Sequence, residues 1–416
     1  MRIRTAGVVA VLGLALAASG CGGSDGDKPA AKESSKATGG KLVIWADDKR
    51  TAALKPFAEE FGKDNGVTVE VQAISKDLQT NFVTASQQGS GPDVVVGAHD
   101  WLGNLVQNGA IDPVQLAADQ KSGFNEVAIK AMTFNGQLYG VPYATENIAL
   151  IRNTELAPEA PKTIEDLVTA GKKLQAEKKA SEILCLQVGQ TGDSYHIYPL
   201  YTSGGGYLFG TAANGDYDPT DLGVGKPESI AAFQKIAKLG EKGDGALKRS
   251  ITGENSIATF TGKKCAYLVS GPWAIADVKK ANISYDISPV PGFAGGKEAQ
   301  PFVGVQAFYV AAKGQNKALA QEFVTNYVTK PELAAALYQA EPRPPALTAA
   351  FDQVKGADPD LAKFQEAGKN GQVLPAIPAM AAIWDPFGKA EAAIIGGADP
   401  ASTITAAGKT IAGQIK

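Results

Sequence analysis

The first sixty residues of the folded part constrain the architecture more than any other stretch. KLVIW (41–45) is a short apolar run bounded by Gly40 and by Asp47 and Asp48, which predicts a buried strand. Leu54, Phe57 and Phe61 then recur at helical spacing, and Gly66 closes that helix. VTVEV (67–71) alternates as a strand does, Leu78, Phe82 and Ala85 form a second helical face, and DVVV (93–96) predicts a third strand. This β-α-β-α-β order predicts a doubly wound α/β sheet, whose ligands lie beyond the carboxyl ends of the strands. Those ends carry Asp47, Asp48, Lys49, His99, Asp100 and Trp101, so polar and aromatic groups gather where such a fold binds.

Further on, GVPYATENIALIRNTEL (140–156) sets one carboxylate, Glu146, between two extended apolar segments, where a chain crossing from one layer to another would turn an acid towards the gap. Alternating elements continue beyond it. A helix is expected over 163–174 with Thr163 as its cap, a strand over 183–188, a polar loop holding Asp193, Tyr195, His196 and Tyr198, a helix over 229–239 and a strand over 266–269. GPW (271–273) is a turn presenting an indole. An extended run over 302–311, a helix over 318–328 and a last helix over 388–395 complete the expectation. Cys185 and Cys265 fall in or beside predicted strands, which fits a disulfide or two small buried apolar residues.

At 416 residues with 44% hydrophobic content, the chain is long enough for two or more domains. Lys plus Arg (40) nearly balances Asp plus Glu (43), so no basic surplus attracts a nucleic-acid backbone. With two histidines and no CxxC spacing, a His/Cys metal site is not expected, and neither a metal nor a cofactor is implied. GSGPD (89–93) and GGG (204–206) lack the spacing of a nucleotide loop.

Arg2 and Arg4 precede thirteen nearly pure apolar residues (6–18), too short to span a bilayer and suited to the core of a signal peptide. ASGC (18–21) resembles a lipobox, which implies cleavage before Cys21 and lipidation of that cysteine; an ordinary signal peptide is the alternative. Residues 21–40 are rich in Gly, Ser, Lys and Ala, carry no large apolar side chain and read as a flexible tether. The folded part is thereby expected at the extracellular face of the cell membrane.

KLVIW, GPDVVVGAHDWLG (91–103), NGQLYGVPYATENIALIRN (135–153), SGPWAI (270–275), PFVGV (301–305) and VLPAIPAMAAIW (373–384) together resemble the maltose/maltodextrin-binding proteins of ATP-driven sugar importers, in collinear order through everything after the tether. The resemblance implies a type II periplasmic-binding-protein-like fold, with two discontinuous α/β lobes joined by three hinge crossovers. The first lobe would be 41–144 plus 308–353 and the second 149–302 plus 360–416, crossing near 145–148, 303–307 and 354–359. It also implies sugar contacts. Asp48 and Lys49 match an Asp-Lys pair that binds hydroxyls, Asp100 and Glu146 match hydroxyl-binding acids, and Tyr195, Trp273 and Trp384 match rings that stack on the sugar. Asp193 stands where the family has a glutamate. Gly97 and Trp101 replace a tryptophan and an arginine, with Trp101 a candidate substitute for the lost ring, and Gly388 replaces an arginine. Tyr143 lies close enough to be an extra contact, whereas His99 is expected to be a structural hydrogen-bonder.

The implied function is capture of maltose or maltooligosaccharides by a monomer that delivers them to the membrane permease subunits of an ABC transporter. The same fold holding trehalose, a cyclodextrin or another oligosaccharide is the near alternative. A secreted glycosidase is the distant one, and it would need two carboxylates at a fixed separation across the scissile bond, a pair that cannot be assigned here.

Overall fold

The computed structural model describes residues 40–212 and 216–415; the expected signal segment, Cys21 and nearly all of the expected tether lie outside them. The expected opening is present, with β1 (Lys41–Ala46), α1 (Asp48–Asn65), β2 (Thr68–Ala73), α2 (Leu78–Gln88) and β3 (Val94–Ala98) in order. β1 pairs in parallel with both β2 and β3. Asp47 caps α1, its carboxylate accepting from the Arg50 amide at 2.9 Å. Gly66 ends the helix at φ +68°, a left-handed conformation in which a Cβ is penalised.

The strand Phe302–Ala311 organises the first sheet. It runs antiparallel to β3 and, on its other side, to the strand Gly140–Asn147, giving a seven-stranded mixed sheet. In this register Glu146 faces Gly304 and Asn147 faces Val303. One residue later, Ala149–Asn153 begins a strand of a different, four-stranded sheet, so the chain changes sheets across Ile148. That second sheet is mostly antiparallel: Ala149–Asn153 pairs in this sense with Tyr267–Ser270 and Tyr285–Ser288, and only Cys185–Leu186 adds in parallel.

The cores follow the same division. One joins residues between Leu42 and Ala144 to residues between Val305 and Ala350. The largest of the others runs from Ile148 to Phe302 and resumes from Leu374 to Ile411. In the first core Phe61 of α1 meets Phe323 and Tyr327 edge-on, with ring centroids 5.2 and 4.8 Å away, so burial and ring geometry both anchor α1. In a smaller core Cys185 and Cys265 form a disulfide with Cα atoms 6.1 Å apart.

Several elements depart from expectation. The strand expected over 183–188 is only Cys185–Leu186, because its neighbour Tyr267–Ser270 offers partners to those two residues alone. The helix expected over 318–328 is α-helical over Lys317–Glu322 and widens into a π-helix over Phe323–Tyr327. The polar loop carries the helix Tyr198–Ser203, and the chain ends on a further helix, Pro400–Gln414.

Candidate functional site

A cavity of about 380 Å³ opens where the two sheets approach, within the size range of small-ligand sites. Lys49 reaches it from the first turn of α1, Asp100 from the tight turn after β3, and Glu146 and Gly304 from paired strands of the first sheet. Tyr195, Trp273 and Trp384 face it from the second body of residues, and Glu341 and Arg343 from the segment after the helix Pro331–Ala340.

The aromatic side forms a row. The Trp273 and Tyr195 centroids are 6.5 Å apart, Tyr195 and Phe302 5.9 Å, and Phe302 and Trp384 6.5 Å. Phe302 is fully buried, so it backs the row while the other three rings are half-buried at the cavity. Trp273 is seated by glycine: a Cβ on Gly271 would fall 2.1 Å from Cζ3 of the indole. The Tyr195 hydroxyl is buried without a partner among the described residues, a donor and acceptor left for a ligand to satisfy.

The polar side is an ion network. Glu146 is paired with the Arg343 guanidinium and accepts from Gln306 Nε2 at 3.0 Å. Burial works to raise the Glu146 pKa, but the charge and hydrogen bond of Arg343, with Gln306 and Arg50, outweigh it and hold the carboxyl below its usual range. Burial pushes Asp100 up to about 7, opposed by its own backbone hydrogen bond and reinforced by the charge of Glu146. Beneath them His99 Nδ1 accepts from the Val305 amide at 3.0 Å, which makes Nε2 the donor to the Leu374 carbonyl at 2.8 Å. Burial lowers its pKa against those two bonds, so the ring is a neutral brace between the turn after β3, the long strand and Leu374.

Such a site offers flat apolar rings on one side and fixed hydrogen-bonding groups on the other. Among the described residues no His, Cys, Asp or Glu cluster is arranged to hold a metal ion.

Residues 56–364 match the family of bacterial extracellular solute-binding proteins. The chain belongs to this family. A galactooligosaccharide-binding protein of Bacillus subtilis (strain 168) is 30% identical, over 98% of this chain and 96% of its own length. A maltooligosaccharide ABC transporter solute-binding lipoprotein of Streptococcus pneumoniae (strain ATCC BAA-255 / R6) is 28% identical over 91% and 89%, and a maltotriose-binding protein of Pyrococcus abyssi (strain GE5 / Orsay) 27% over 83% and 75%.

In this solute-binding protein six of the nine ligand candidates line the cavity: Lys49, Asp100, Glu146, Tyr195, Trp273 and Trp384. Three do not. Asp48 is an exposed residue at the start of α1, and it is Asp47 that caps the helix. The Trp101 ring lies over Gly97, where a Cβ would come within 2.0 Å of it, and packs on the first core. Asp193 turns inward, accepting from the Tyr195 and His196 amides, from His196 Nδ1 at 2.9 Å and from Gln187, so it shapes the loop that carries Tyr195. Its own amide donates to Glu391, whose carboxyl is fully buried and raised well above the usual range by burial and by the Asp193 charge. Tyr143 is buried against Phe308 and Arg50 rather than on the cavity. Gly388 packs against this same loop, where a Cβ would lie 2.8 Å from the Thr191 carbonyl.

Glu341 and Arg343 were not legible in advance. AEPRPP (340–345) carries only turn signals, and Arg343 meets Glu146 across 197 residues of chain.

Proposed function

We propose that this solute-binding protein captures a neutral oligosaccharide, maltooligosaccharides first among candidates, and hands it to the permease of an ABC importer while a lipid on Cys21 holds it at the extracellular face of the cell membrane. The observation that carries the reading is the aromatic row of Trp273, Tyr195 and Trp384 facing the polar rim of Lys49, Asp100, Glu146 and Arg343 across one cavity. A hexose packs its C–H face on an indole or phenol ring, and its hydroxyls need donors and acceptors of fixed direction. The names of the three relatives support an oligosaccharide, and the galactooligosaccharide-binding one supports a second reading in which the units are galactosyl.

The lobes of this proposal are 41–144 plus 308–353 and 149–302 plus 360–416. The separate cores support that division. A ligand touching both lobes only when they close shifts the population towards the closed form by its differential affinity. The test is a thermal-shift screen of the mature chain against maltotriose, galactotriose, trehalose and a cyclodextrin, with calorimetry on each hit. At 100 times its Kd a ligand stabilises the chain by about 2.7 kcal/mol. No shift with any sugar would sink the oligosaccharide reading, and shorter products after incubation would favour a glycosidase.

A further inference from the structure

Arg343 is held on three sides. Its Nε meets Glu146, its Nη1 meets Glu341, and the guanidinium carbon stands 5.4 Å from the centroid of the Trp273 ring. Both carboxylates are tied down in turn: Glu146 accepts from Gln306 at 3.0 Å, and Glu341 lies 3.8 Å from Arg50 Nη2. Only 11% of the arginine side chain is exposed, yet the residue lines the cavity, and Nη1, although within ion-pair reach of Glu341, is buried with no hydrogen-bond partner among the described residues.

A lysine here would be a single point charge on a flexible stem, able to follow a hydroxyl wherever a sugar placed it. A planar guanidinium fixed at two nitrogens and against a ring has no such freedom. We propose that Arg343 is a specificity-determining residue of the sugar site: its clamped fork presents its unpartnered N–H donors to one ligand hydroxyl, and its rigidity makes the site read that hydroxyl's orientation. The inference rests on the oligosaccharide-binding reading above. An epimer that points the hydroxyl elsewhere leaves a desolvated donor unpaired, a penalty that a mobile donor would relieve. Arg343 thereby joins the acid at the sheet crossing, Glu146, to the indole opposite, Trp273, so that one residue senses both sides of the cavity.

A purely structural arginine, needed only to neutralise Glu146 and Glu341, would weaken every sugar alike when replaced. A reading arginine changes the ratio between sugars. Calorimetry with maltotriose and galactotriose on the wild-type chain, Arg343→Lys and Glu341→Gln separates the two, with melting curves on each protein as a check on folding. The wild type is expected to prefer one sugar by at least about tenfold, and Arg343→Lys to bring the two affinities within about threefold. Glu341→Gln removes one side of the clamp while keeping the arginine, so it should narrow the ratio in the same direction, and it carries the test if the lysine variant does not fold. A ratio unchanged in both variants, or a wild type that binds the two sugars equally well, overturns the proposal. A wild type that binds no oligosaccharide sinks the functional reading and this inference with it, and the two failures are told apart by the wild-type titration alone.

Discussion

Gly271→Ala is a one-carbon perturbation aimed at a ring two residues away. Gly271 has φ −100° and ψ −174°, an extended conformation open to any residue, so alanine brings no backbone strain. Its Cβ, however, would fall 2.1 Å from Trp273 Cζ3 and 2.3 Å from Cη2, well inside van der Waals contact. Either the indole or the backbone must shift. Trp273 is half-buried with the cavity beside it, so the ring swings into the space a sugar would fill. A favourable ring contact is worth about 0.5–1.5 kcal/mol beyond its buried area, and the displaced ring also obstructs the ligand. The expected loss is at least about 1.4 kcal/mol, or tenfold in Kd. Overpacking costs typically about 1–3 kcal/mol of stability, and the open side of the ring places this case at the lower end. Calorimetry with the best-binding oligosaccharide, alongside Trp273→Ala, measures both effects. If Gly271→Ala binds as tightly as wild type while Trp273→Ala loses tenfold, the seat over Gly271 is not what aligns the indole. If Trp273→Ala also binds normally, the ring is not part of the site.

The Cys185–Cys265 disulfide closes a loop of 80 residues, and replacing both cysteines by alanine should cost about 2–4 kcal/mol, read as a lower denaturation midpoint under non-reducing conditions; an unchanged midpoint refutes it. Asp100, raised from 3.8 to about 7, favours the folded state fully below its unfolded pKa, and that contribution is lost as pH rises through 7. Wild type should therefore lose melting temperature relative to Asp100→Asn between about pH 4 and 7, and parallel curves would count against the buried-acid assignment. Glu391→Gln should likewise remove a pH-dependent burden, because its fully buried carboxyl is raised well above the usual range. The amide variant is expected to gain stability over wild type as pH rises above the ordinary carboxyl range, and equal unfolding curves at high and low pH would contradict it.

Legibility in the sequence followed the range of the forces involved. β1 to β3 and the helices between them were readable because apolar spacing, a cap and a closing glycine are local. The run 302–311 was readable as extended for the same reason, but its role as the shared partner of β3 and Gly140–Asn147 depends on pairing across long stretches of chain. Pro400–Gln414 was missed because its inward face, Ile404, Ala407 and Ile411, is diluted by small residues that give a weak period. In the site, Glu146, Trp273 and Trp384 came from motifs, and all three line the cavity. The arrangement of the acids did not. Asp193 and Asp100 are both acids in loops, and only the amide and imidazole donors around Asp193 turn it away from the ligand space.

Gly97 and Trp101 are two departures from the family pattern that the fold ties together. Taken separately, they suggest a lost ring and a substitute ring on the cavity. In the fold they are one packing unit, since Trp101 occupies the volume over Gly97 that a side chain there would need, 2.0 Å from the nearest indole carbon. Restoring tryptophan at 97 alone would drive two large rings into one place, and replacing Trp101 alone would leave the space over the glycine unfilled. The two changes should therefore be strongly non-additive, as residues in contact generally are. Gly97→Trp is expected to unfold the chain or lower its stability by several kcal/mol, about the scale of a severe core overpacking, and Trp101→Arg in the same chain should recover much of that loss. A double-mutant cycle by chemical denaturation measures the coupling. Additive losses would show that Trp101 is free to leave Gly97, which would favour a place for the ring at the ligand.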